Sequence, residues 1–131
     1  MSYSTYKNLG KDNNAPTEES MMFVPEIESL AQRKNVIASF PIVVVDYYTS
    51  WCGPCKIASP KFAQLAKKFS DKGVTCVKEN AEHNFGDNAI IRGVPCFHFY
   101  FKGKFIPELT VTGASVDQVE KNIMKILDAE K

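Results

Sequence analysis

The chain has no run near the roughly 20 apolar residues that a membrane-spanning helix needs. Its first 20 residues are polar, rich in Ser, Asn, Lys and Glu, and lack the apolar core of a secretory signal. That absence points to a reducing compartment such as the cytoplasm. Charge of one sign is also missing: 16 basic and 15 acidic residues leave a formal net charge of +1 over 131 residues. A protein built mainly to hold nucleic acid or an anionic membrane needs a basic excess, so neither is an expected partner. Cysteine is sparse as well. Four in a chain of this length are too few for a small disulfide-stapled scaffold. There is no glycine-rich dinucleotide loop, so no bound nicotinamide or flavin cofactor is expected.

What the chain does have is core material for one domain: 44% hydrophobic residues, with nine Phe, five Tyr and one Trp. Residues 1–20 hold no hydrophobic period and read as a flexible polar tail, in which Tyr3 and Tyr6 are the only docking-type residues. The domain is expected to span 21–131. Met21–Val24 reads as an edge strand, and Pro25 followed by Glu26 and Glu28 as a helix start. Ile42–Tyr48 is a β-branched and aromatic run of the kind found in central strands covered on both faces. From Cys52 to Ser70, Ala58, Phe62, Leu65, Ala66 and Phe69 recur at helical spacing, with Pro60 expected to kink the helix and Gly73 to end it. Val74–Val77 reads as a strand and 81–91 as a loop with a short helix. Cys96–Phe101 and Phe105–Val111 form a hairpin about Lys102-Gly103-Lys104. Ser115 and Gln118 look like a capping box for a last helix striped by Val116, Val119, Ile123, Ile126 and Leu127. The order implies an α/β fold, a sheet with helices on both faces.

The chemistry gathers at Trp51-Cys52-Gly53-Pro54-Cys55, where a strand feeds a long helix. Unpaired amides and the positive dipole end at a helix N-terminus favour an anion, so Cys52 should ionise more readily than a free thiol. A three-residue offset brings the two sulfurs within reach across one turn. Cys52 can then attack a disulfide and Cys55 can resolve the mixed disulfide. Asp46, set in an apolar strand, should be desolvated and hold its proton to higher pH than an exposed carboxylate, which suits a proton acceptor.

Trp51-Cys52-Gly53-Pro54-Cys55-Lys56 resembles the thioredoxin family. So do Val45-Asp46-Tyr47-Tyr48 before it, Pro60 after it, Ile91-Arg92-Gly93-Val94-Pro95 ahead of a strand, and the later Gly103 and Gly113. The likeness runs in order over about residues 22–129. It implies a thioredoxin fold with a central mixed sheet, and protein-disulfide reduction with electrons from an NADPH-dependent thioredoxin reductase. It also implies a monomer that meets that reductase and disulfide-containing proteins. Position by position, it makes Cys52 the nucleophile, Cys55 the resolving thiol and Asp46 the buried carboxylate. Lys78 fits the basic residue paired with Asp46, with the spacing in 76–84 open by one or two residues. Pro95 matches the family's cis-proline and Val94 the residue whose backbone pairs with substrate. Trp51, Gly53, Pro54, Gly93 and Gly113 complete the contact surface.

One position departs from the family: Cys96 stands where thioredoxins usually carry Thr, and it is expected near the redox pair. Cys76 and Cys96 otherwise read as small buried hydrophobes, and His83 and His98 as a surface and a strand residue without a catalytic part. Two further function classes fit the same residues. The fold could serve as a binding module with incidental cysteines. Alternatively, the four cysteines could hold zinc, although Cys76 and Cys96 lack the paired spacing of zinc knuckles.

Overall fold

The computed structural model describes residues 18–85 and 91–130. Residues 1–17 of the expected 1–20 tail and 86–90 of the expected 81–91 loop lie outside them. Six strands form one mixed sheet: β1 (Glu26–Ile27), β2 (Ile42–Tyr48), β3 (Val74–Asn80), β4 (Cys96–Phe101), β5 (Lys104–Phe105) and β6 (Val111–Thr112). Strands β1, β3 and β2 lie side by side in parallel, β4 joins β2 antiparallel, and β5 and β6 both pair antiparallel with β4. Among the described residues four helices pack around it: α1 (Glu18–Phe23), α2 (Leu30–Ser39), α3 (Gly53–Phe69) and α4 (Val116–Ala129).

Strand alternation divides the interior in two. Ile42 and Val44 of β2, Val74 and Cys76 of β3, and Phe97 and Phe99 of β4 point to one face. There they pack against Ala58, Phe62, Leu65 and Phe69 of α3 and Val119, Ile123 and Ile126 of α4. The opposite face carries Val43, Val45, Tyr47, Val77 and Cys96, with Val36 and Ile37 of α2 over it. Val43, Val44 and Val45 are completely buried, as a strand covered on both sides requires.

The N-terminal reading is corrected. Met21–Phe23, expected as an edge strand, belongs to α1, which begins at Glu18 and carries two acids in its first turn. Ser20, placed in the tail by its polarity, is buried at 2% exposure. Pro25 does not open a helix. Its carbonyl accepts from the Lys78 amide, which draws Glu26–Ile27 into the sheet, and α2 starts later behind Ser29, whose hydroxyl accepts from the Gln32 amide. β3 runs three residues beyond the expected Val77, to Asn80. The hairpin at Lys102-Gly103 is present, both residues with positive φ (50° and 84°) as a tight two-residue turn demands. The strand expected over Phe105–Val111 breaks at Pro107, which has no amide for a ladder and instead opens a 3-10 turn to Leu109. Ser115 sits at the α4 N-cap but its side chain makes no capping bond; Gln118 instead donates to Asn122. Buried Asn122 in turn donates to the Leu109 carbonyl at 2.7 Å, a polar anchor inside the apolar stripe. Pro60 lies on the exposed side of α3, which continues through it.

Candidate active site

A crossover from β2 to β3 through α3 returns the helix against the sheet, so the N-terminus of α3 lies over the C-terminal end of β2. The short connection Thr49–Cys52 carries the chain between them. Cys52 caps α3, its sulfur accepting from the Cys55 amide at 3.1 Å. Cys52 and Cys55 are joined by a disulfide with a Cα separation of 5.3 Å, ordinary for such a bond. Both cysteines are nearly enclosed, at 3% and 6% exposure, while Trp51 before them stands 70% exposed. Trp51 is therefore a rim residue and has no part in the core. Gly53 and Pro54 are exposed with it.

The wall opposite comes from the segment entering β4. The Val94–Pro95 peptide bond is cis. Val94's carbonyl oxygen lies 3.6 Å from the Cys52 sulfur, and the Pro95 carbonyl accepts from the Gly113 amide at 2.8 Å. Gly113 has φ of 107°, a conformation costly for any side chain. The fold thus brings Cys52, Cys55, Val94, Pro95 and Gly113 together, with Trp51 on the rim.

Asp46 is on the face that α3 covers, two residues beyond Val44 toward the end of β2. It is 5% exposed, and among the described residues its Oδ1 has no hydrogen-bond partner. Burial raises its pKa to about 7; Lys78 works against that rise and Glu26 with it. Lys78 is the register partner of Asp46 on β3. Burial lowers the Lys78 pKa, with Glu26 and Asp46 opposing.

β4 presents Phe97 to the Asp46 side, so Cys96 points to the opposite face among Ile27, Val45, Tyr47 and Val77, its sulfur 4.0 Å from the Thr112 hydroxyl. Cys76 is on the Asp46 face, and burial followed by the Asp46 charge pushes its thiol up to about 12. The sheet itself separates Cys76 from Cys96, so the four cysteines do not converge as a zinc site would require. Among the described residues no cluster of three His, Cys, Asp or Glu is arranged to hold a metal. None of the described helices is long and apolar enough to cross a membrane.

Sequence reasoning missed two site residues. Glu82, just past β3, accepts from both the amide and the hydroxyl of Ser50 at 2.8 Å and so holds the loop that carries Trp51 and Cys52. Those bonds, the Ser50 amide first, keep its pKa below the usual carboxylate value. Its only sequence signal was its place after a parallel strand, the edge at which α/β sheets gather their site loops. Glu26 is the other: it lies beside Lys78 in register on β1, and Tyr48 reaches both its oxygens.

Comparisons with known proteins follow this geometry. The sequence model of the thioredoxin family matches residues 23–125. Thioredoxin-1 of Schizosaccharomyces pombe is 30% identical over 100 residues, covering 76% of this chain and 95% of its own. Thioredoxin H1 of Arabidopsis thaliana is 36% identical over 96 residues, 73% of this chain and 82% of its own. Among solved structures, the thioredoxin of Malassezia sympodialis superposes with a TM-score of 0.70 at 30% identity, over 78% of this chain and 89% of that one. Oxidised mitochondrial thioredoxin 3 of Saccharomyces cerevisiae gives 0.72 at 25%, over 81% and 98%.

Proposed function

This chain belongs to the thioredoxin family, and from that premise we propose which of its residues carry each step. It is a thiol–disulfide oxidoreductase that reduces protein disulfides through a reversible Cys52–Cys55 dithiol/disulfide. In the reduced protein, the Cys52 thiolate at the α3 N-terminus attacks one sulfur of the substrate disulfide. A Cys52–substrate bond forms and the other substrate sulfur leaves as a thiolate. Asp46 then takes the Cys55 proton, and the Cys55 thiolate attacks the Cys52 sulfur. The Cys52–Cys55 bond forms, the substrate departs as its second thiolate, and two electrons have passed to it.

Asp46 suits the proton transfer because its pKa, near 7, lets it both accept and release a proton at neutral pH. Lys78 beside it limits the cost of the carboxylate form. Substrate chain docks on the wall of Val94 and Pro95, with Trp51, Gly53, Pro54, Gly93 and Gly113 around it. For two of the glycines the fold itself gives no steric reason. A Cβ at Gly53 would meet nothing within 4 Å, and one at Gly93 only the Thr112 methyl at 3.6 Å. Clearance for an incoming chain supplies one. No bound cofactor takes part. A separate NADPH-dependent thioredoxin reductase regenerates the dithiol, and the protein acts as a monomer in a reducing compartment such as the cytoplasm.

The observation that carries this reading is the capped Cys52–Cys55 pair facing the Val94–Pro95 wall above a buried carboxylate. Its test is dithiothreitol-driven reduction of insulin by the wild type and Cys52→Ser. Turnover by the wild type, lost in the variant, is the expected result. A folded wild type that fails to reduce insulin would leave a binding module or a narrowly specific reductase.

A further inference from the structure

Strands β1, β3 and β2 are adjacent, parallel and in register, with Glu26 opposite Lys78 and Lys78 opposite Asp46. Partners in a parallel ladder point to the same face about 4.8 Å apart, so Lys78 lies between two acidic residues in one row. One cation cannot neutralise both. Glu26 is half-buried, and the Tyr48 hydroxyl lies 2.7 and 2.6 Å from its two oxygens, so its anion is hydrogen-bonded. Asp46 is buried, with one carboxylate oxygen unpartnered among the described residues. The two acids thus compete for Lys78 on unequal terms, one with its oxygens held by a hydroxyl and one buried with an oxygen free of any partner among the described residues.

We propose that Glu26 is a positioning residue for the dithiol chemistry: clamped by the Tyr48 hydroxyl, its carboxylate shares the Lys78 ammonium with Asp46 and keeps Asp46 a working proton acceptor instead of a fixed ion-pair partner. This rests on the assignment of Asp46 as the acceptor made above. The titratable groups that act on Asp46 or feel its charge are Glu26 from β1, Lys78 and Cys76 from β3 and, through the sheet, Cys96 of β4; Tyr48 lies two residues on along its own strand, on the same face. Tyr48 also stands against the Lys78 ammonium, 5.8 Å from ring centre to Nζ, so one residue touches both partners of Asp46.

The test follows the Asp46 carboxyl carbon by NMR titration in the oxidised protein, where the redox cysteines do not titrate. Glu26→Gln keeps the side chain's shape and removes its charge. The Asp46 midpoint should fall by roughly half a unit or more, because Lys78 then serves Asp46 alone. Glu26→Asp, which keeps the charge, should retain most of the wild-type midpoint. In a Lys78→Met background the effect of Glu26→Gln should shrink by at least half.

An unmoved Asp46 midpoint in folded Glu26→Gln would overturn the proposal. So would an undiminished shift in the Lys78→Met background, since Glu26 would then act without the shared cation. A merely structural role for Glu26 would change the melting temperature and leave the midpoint in place. Separately, an Asp46→Asn protein with an unaltered pH profile of insulin reduction would break the Asp46 assignment, and the titration would still judge Glu26.

Discussion

The two faces of the sheet spend their charged groups in opposite ways. On the α2 face, Arg33 and Glu79 are 5% and 2% exposed and meet in a two-pronged pair at 2.8 and 2.9 Å, with the Arg33 guanidinium 5.9 Å from the centre of the Tyr47 ring. Tyr47 meets His98 edge-on at 5.0 Å, and Phe105 packs on the far side of His98. These charges are matched. On the α3 face, toward the ends of the parallel strands, Asp46 is buried with an oxygen unsatisfied among the described residues, and Lys78 lies in register between it and Glu26. A matched ion pair fixes structure, whereas a buried acid with an unpartnered oxygen is left free to exchange a proton. The imbalance stands under the disulfide, where protons have to move.

The largest effect should come from the α3 face. Cys52→Ser removes the only sulfur placed to attack, so insulin reduction should fall by about a thousandfold or more, to the dithiothreitol background. Residual turnover by Cys55 would weaken the division of labour between the two thiols. On the other face the expected loss is in folding. Glu79→Leu leaves the Arg33 guanidinium buried without its carboxylate and should cost about 3–5 kcal/mol in urea unfolding. Its specific activity, measured on the folded fraction, should stay near wild type. A large drop in that activity would show that the faces are coupled and would end the contrast drawn between them.

Asp46→Asn should do the reverse, gaining stability and losing function. A folded-state pKa near 7 against an ordinary 3.8 means that the native protein holds a proton more tightly than the unfolded chain does. The stability tied to that proton is fully present below about pH 4 and is lost as pH rises through 7. The Asn variant does not lose it. It should therefore exceed the wild type by about 4 kcal/mol at pH 8 and by little at pH 4, read from urea midpoints at the two pH values. Resolution of the mixed disulfide should slow in the same variant. A pH-independent stability difference would place the Asp46 carboxyl in an ordinary environment and remove it from the mechanism.

How much of this was legible in the sequence varied with the kind of signal. Ile42–Tyr48 and the α3 stripe are long patterns of one period, and the structure follows them. Cys52, Cys55 and Asp46 were readable because each residue type conflicts with its surroundings unless it does chemistry. Short elements were not. Glu26–Ile27 is a two-residue strand held by pairing with distant β3, and no local period announces two residues. Met21–Phe23 is β-capable in isolation and helical where α1 packs on α3. Side-chain partnerships across strands were the least visible. Glu26 with Tyr48, Arg33 with Glu79 and Glu82 with Ser50 join residues 22, 46 and 32 positions apart, and only register brings them together.

Cys96 is where the two faces can be compared at closest range, and the effect expected there is the smallest. The sequence puts a thiol directly after Pro95, one residue from the wall that faces Cys52. Neighbours in a strand point to opposite faces, so that single step carries the Cys96 sulfur through the sheet to the company of Tyr47 and Val77. Burial raises its pKa and the Thr112 hydroxyl only partly offsets the rise, so little thiolate is present at neutral pH. Cys96→Ser should keep insulin reduction within about twofold of wild type and cost about 1–2 kcal/mol of stability, the expense of placing a hydroxyl in an apolar pocket. Cys96→Val should recover that stability, since the site holds its residue by shape. Loss of turnover in both variants while they remain folded would mean that the thiol reaches the disulfide across the sheet edge, and the two faces would then share one redox site.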